Sequence, residues 1–153
     1  SMKLSDIVCF SAIIPELESK DRNGAVRELV EILCREGRLD SLEPEKLTKA
    51  IIQRENEAST GMGKGVALPH IKVDGIDEPV AAVGRSSKGI DFRSLDKQPV
   101  YTILLLISPK ENPDKHLQAM EILFRHLNQD DFRRFLRQAQ TAEEIVEIIR
   151  DAD

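Results

Sequence analysis

The segment Val100–Ser108 constrains the fold more than any other part of the chain. Its centre, Ile103–Ile107, is apolar at every position. A strand with one face in water alternates polar and apolar side chains. An unbroken apolar run belongs instead at the centre of a sheet covered on both faces. The run is also far too short to span a bilayer as a helix, which takes about 20 apolar residues.

Segments that can supply the cover lie on either side of it. Ala25, Val26, Leu29, Val30, Ile32 and Leu33 recur at helical spacing until Gly37 ends the pattern. Pro44 suits the first turn of a second helix, with Leu47, Ala50 and Ile51 on its apolar face and an end near Arg54. Asn112-Pro113 joins an N-cap to a proline at the first helical position, predicting a helix through Leu117, Met120, Leu123, Phe124 and Leu127. Asp130–Gln138 reads as a short helix, and Thr141-Ala142-Glu143-Glu144 as the capping box of a last one. Leu4–Phe10 reads as a short helix or turn before an extended Ala12–Ile14, and Val66–Leu68 and Pro79–Gly84 read as strands. The expectation is one α/β domain over residues 3–153, a mixed sheet flanked by helices on both faces. Ser1 before Met2 reads as a remnant of cloning.

Between the second helix and the Val66 strand lies Ser59-Thr60-Gly61-Met62-Gly63-Lys64-Gly65, and the strand ends on Pro69-His70. Glycines lack a Cβ and let backbone approach a ligand closely. Pro69 restricts the backbone just before the imidazole. A neutral imidazole with one nitrogen held and the other free is a nucleophile suited to phosphoryl transfer. Such transfer needs fixed donors around the phosphoryl oxygens. Arg54, Ser59, Thr60 and the amides at Gly61 and Gly63 are placed in sequence to supply them. His116, in the first turn of the Asn112 helix, sits where the helix dipole favours an anion. His126 lies about 80° round that helix from His116 and is expected on the surface or in packing.

Other chemistries fit less well. The glycine spacing is G-x-G-x-G after a helix, neither a Walker loop nor the dinucleotide fingerprint. Cys9 and Cys34 have no metal-ligand spacing, and His70 with His116 lacks a third ligand, so no metal is expected. A formal charge of −5, one Tyr and no Trp argue against a nucleic-acid surface. With no apolar leader at the start, a cytoplasmic protein without membrane insertion is expected.

Arg54-Glu55, Ser59–Gly63 and Val66-Ala67-Leu68-Pro69-His70 resemble the active-site signature of the enzyme IIA proteins of the phosphoenolpyruvate-dependent phosphotransferase system, in their fructose, mannitol and nitrogen-regulatory class. Glu78-Pro79-Val80, Gly89-Ile90-Asp91-Phe92 and Lys115-His116-Leu117 follow in the family's order. The resemblance implies that His70 is phosphorylated through Nε2 by the carrier protein HPr, with Arg54 and His116 stabilising the phosphoryl group and no cofactor required. It implies delivery to an enzyme IIB or a switch acting on regulatory protein targets. The absence of a fused transport domain points to the regulatory branch. Sugar-specific transfer, a degenerate binding module and a histidine metal site are the alternatives. One departure stands out: the family places a small residue after the active histidine, and this chain has Ile71.

Overall fold

The computed structural model describes residues 1–37 and 39–153. Strand β6 (Val100–Pro109) lies inside a six-stranded mixed sheet. On one side β5 (Val80–Ile90) runs antiparallel to it, and β1 (Val8–Ile14) lies parallel to β5. On the other side β3 (Val66–Ala67) and β4 (His70–Val73) both run parallel to β6, and β2 (Gly61–Gly63) closes that edge antiparallel to β3.

The side chains of β6 alternate between two cores. Leu104 and Leu106 pack with α1 (Leu4–Ile7), α4 (Pro113–Leu127), α5 (Asp130–Gln138) and α6 (Ala142–Ala152). Ile103, Leu105 and Ile107 pack with α2 (Arg22–Glu36) and α3 (Pro44–Glu57). All five are fully buried, which explains why the run carries no polar side chain. Each such burial is worth about 1.5–3 kcal/mol.

Both faces are thus covered by helices, as the sequence suggests. Several boundaries differ. Helix α1 is only one turn, and the strand already begins at Val8. Strand β5 continues past Gly84 to Ile90 through a polar stretch with an irregular register, resuming its pairing at Ile90↔Val100. The Glu144 carboxylate accepts from the amide of Gln140, not Thr141, so the last helix has a displaced version of the capping box.

Strands β3 and β4 form one interrupted strand along β6. The offset is the same at Val66↔Thr102, Ala67↔Ile103 and His70↔Leu106. Between them the Leu68 amide donates away from β6, to the Thr60 carbonyl at 3.1 Å. Pro69 has no amide to donate, while its carbonyl accepts from Leu106 at 2.9 Å. The break therefore falls immediately before His70.

Candidate functional site

Alternation along this interrupted strand puts His70 on the same face as Val66 and Leu68, the face covered by α4. Helix α4 begins just past the end of β6, with Asn112 capping the Lys115 amide and Pro113 in the first turn. This brings His116 to His70: the ring centroids are 5.9 Å apart and the planes inclined by 38°.

The half-buried His70 ring is oriented by its own strand. Nδ1 lies 2.7 Å from the Leu68 carbonyl oxygen. A carbonyl only accepts, so the proton resides on Nδ1 and Nε2 carries the lone pair. The arrangement thus leaves Nε2 as the free ring nitrogen.

His116 is buried, and its Nδ1 has no partner among the described residues. Burial, reinforced by His70 and Lys72, lowers its pKa below the usual histidine value. His126 is also lowered, first by burial and then by Arg125, and packs its ring 5.5 Å from that of Phe132. His126 is accordingly a packing residue and not a surface one.

These two depressed values set a pH dependence of folding. Below the ordinary histidine pKa of about 6.5 the unfolded chain binds more protons than the folded one, so stability falls on acidification. The contribution is fully present above that value and declines as pH drops towards the folded pKa values. The melting temperature is expected to be lower at pH 5.5 than at pH 7.5, with a smaller decrease in His126→Gln. An equal decrease in the variant would remove His126 from this explanation.

Arg54 lies in the last turn of α3, exposed, with Nη1 donating to the Ala58 carbonyl at 2.9 Å. The next residue, Glu55, is 3% exposed. Its carboxylate accepts from the Thr60 amide at 3.0 Å and from the Thr60 hydroxyl. The Thr60 carbonyl in turn holds the Leu68 amide, and the Leu68 carbonyl holds His70. Glu55 is therefore the anchor of a chain of bonds that ends at the imidazole. Sequence reasoning gave it no role of its own. A carboxylate in the last turn of a helix is unfavourable to the helix dipole, and that was the available signal. Glu55→Ala leaves the Thr60 amide without its acceptor and is expected to lower stability by about 1–3 kcal/mol, read from urea unfolding. An unchanged midpoint would mean that the loop is held elsewhere.

Of the loop residues expected as phosphoryl donors, Ser59, Thr60 and Gly61 have internal partners. Thr60 gives its hydroxyl proton to Glu55, and Ser59 gives its own to the Phe92 carbonyl while accepting from the Gly61 amide. Gly61 and Gly63 belong to a hairpin whose turn, Lys64-Gly65, has positive φ at both positions. A Cβ on Gly61 would stand 2.2 Å from the Ser94 hydroxyl. The Lys64 amide donates to the Asp96 carboxylate at 2.9 Å, which holds that acid below its usual pKa. The glycines thus serve close packing within the chain, and Ser59, Thr60, Gly61 and Gly63 shape the turn that precedes His70.

Ile71 follows His70 but points to the opposite face, packing with the α2/α3 core and lining a cleft beside Leu42, Leu47 and Ala50. Its bulk is directed away from the imidazole. Among the described residues no three His, Cys, Asp or Glu side chains are arranged to hold a metal, and Cys9 and Cys34 are free. No helix among them is long and apolar enough to cross a membrane.

A mixed sheet covered by helices, with one imidazole at a strand start facing another at a helix start, defines a recognisable class of domain. Residues 10–152 match the family described as phosphoenolpyruvate-dependent sugar phosphotransferase system, EIIA 2, and the chain belongs to it. Its role is that of a phosphoryl carrier, regulatory or sugar-specific. It is 31% identical over 152 residues to the fructose-specific EIIA component of Haloferax volcanii, covering 95% of this chain and 97% of that protein. It is 30% identical to a nitrogen regulatory protein of Bradyrhizobium diazoefficiens, covering 97% of this chain and 95% of that one. A fructose-specific EIIABC component of Bacillus subtilis is 32% identical over 99% of this chain, which spans 24% of that longer protein. The crystal structure of IIA-Ntr from Neisseria meningitidis superposes with a TM-score of 0.85 at 28% identity, covering 95% of this chain and 98% of that one.

Proposed function

We propose that His70 Nε2 accepts a phosphoryl group from the phosphohistidine of an HPr-type carrier. The observation that carries this reading is the 2.7 Å contact between Nδ1 and the Leu68 carbonyl, which leaves Nε2 as the free nucleophile. His116 stands beside it as a donor to the phosphoryl oxygens. A dianion on His70 would raise the depressed pKa of His116 and draw a proton onto it. Arg54 supplies the guanidinium fork by turning from the Ala58 carbonyl when the phosphoryl group arrives. Exposed Leu117, next to His116, and Phe124, two turns further along α4, offer apolar contacts to the protein partner.

The phosphoryl group then acts mainly as a regulatory mark read by protein targets, a reading supported by the similarity to IIA-Ntr of Neisseria meningitidis. The fructose-specific EIIA of Haloferax volcanii supports a second reading, delivery to an enzyme IIB. Incubation with phosphoenolpyruvate, enzyme I and HPr, followed by intact mass, tests the shared step. One acid-labile, base-stable phosphoryl group is expected, and none would overturn the proposal. Adding an enzyme IIB separates the two readings, because only the sugar-specific one requires rapid onward loss of the group.

A further inference from the structure

At the opposite end of β6 from His70, Lys64, Gly65, Tyr101, Arg133, Arg134 and Arg137 line a cleft of about 220 Å³. His70 pairs with Leu106 and the cleft contains Tyr101, so the two sites lie roughly 17 Å apart along the strand. The protein as a whole carries a formal charge of −5, yet this cleft concentrates four cations.

Two of them are compensated: Arg133 pairs with Asp130, which also lines the cleft, and Arg134 with Asp131 at 2.8 Å. Arg133 is further occupied with the Leu127 carbonyl at the end of α4. Lys64 and Arg137 have no carboxylate within salt-bridge distance among the described residues. Arg137 is nevertheless held in place, its guanidinium carbon 3.6 Å from the centre of the Tyr101 ring. That ring is itself fixed, since a Cβ at Gly65 or Gly89 would approach it to 3.2 Å and 3.0 Å. Stacking engages the face of a guanidinium and leaves its in-plane N–H donors free. The cleft therefore presents an oriented and uncommitted donor fork with a second cation nearby.

We propose that this cleft binds a small phosphorylated molecule, through Arg137 and Lys64 with support from Arg134. One face of Tyr101 is already covered by Arg137 and so is closed to stacking by a nucleobase, and recognition is of the phosphate groups. The concave shape and small volume favour such a ligand over an extended acidic chain.

Titration of the ¹⁵N-labelled protein with inorganic pyrophosphate tests this, with ionic strength held constant and a tetraglutamate peptide as the comparison. Saturable amide shifts are expected at Gly65, Tyr101 and Arg137, and they should persist in His70→Ala. Arg137→Gln should weaken binding about ten-fold, as loss of a charge-assisted fork would, and Arg137→Lys should fall between. The dispersion of each variant's spectrum shows whether it is folded, and Lys64→Gln, at an exposed turn, gives an independent loss if Arg137 proves structural. Shifts that do not saturate, that centre on His70, or that ignore both substitutions would overturn the proposal. So would tighter binding of the peptide than of pyrophosphate.

Discussion

His70→Ala is expected to abolish phosphoryl uptake while leaving the protein folded. Among the described residues, the variant removes the only imidazole whose Nδ1 is held by a carbonyl with Nε2 left free. Neither remaining histidine is equipped to replace it: His116 and His126 are both buried, and His126 is packed against Phe132. The fold should survive because the His70 ring is half-buried and belongs to neither apolar core. Transfer of radiolabel from phosphorylated HPr, together with a thermal melt, reads both effects. Uptake at a rate comparable to the parent protein would place the nucleophile elsewhere.

His116→Ala is the second large effect expected. It leaves the proposed nucleophile in place and removes the proposed donor to the phosphoryl oxygens. The ring sits 5.9 Å from that of His70, at the start of a capped helix, with its pKa lowered by burial. Loss of one pre-organised donor costs about 10²–10³ in rate, or roughly 2.7–4 kcal/mol at the transition state. Transfer should therefore slow by that factor in both directions, between HPr and the variant. Because the side chain is buried, the variant should also lose some stability, so rates are compared at a temperature well below its melt. An unchanged rate would reduce His116 to a packing residue at the helix start.

How much of this was legible in the sequence depended on the range of the interactions involved. The apolar run in β6 declared a doubly covered strand, because each of its side chains needed a core on one face or the other. Asn112-Pro113 declared the start of α4, because capping is local. Strand β4 was not legible: His70-Ile71-Lys72-Val73 is short and mixed in character, and its extended state comes from pairing with β6, 36 residues along the chain. The polar half of β5 was hidden for a similar reason, since Arg85 is tied to the Arg137 and Pro15 carbonyls, distant in sequence.

At the site itself, the Pro-His pair and the helix-start histidine could be read from their neighbours, whereas the allocation of donors in the loop could not. Ser59 and Thr60 look available in a sequence because nothing local shows that Phe92 and buried Glu55 accept their hydroxyl protons. The same long-range packing decides the effect of Ile71. Pleating sends it to the α3 side of the sheet, so the larger side chain after the histidine leaves the imidazole's face clear.

In the proposed reading, the Leu68 carbonyl fixes the His70 tautomer and thereby makes Nε2 the phosphorylated atom. Long-range ¹H–¹⁵N correlation spectra of the protein, with and without phosphorylation by enzyme I and HPr, test it most directly. The free protein is expected to show His70 protonated on Nδ1. After phosphorylation the ³¹P coupling and the large ¹⁵N shift should appear on Nε2, with Nδ1 still carrying its proton. A phosphoryl group on Nδ1 of His70, or on any other side chain, would contradict it.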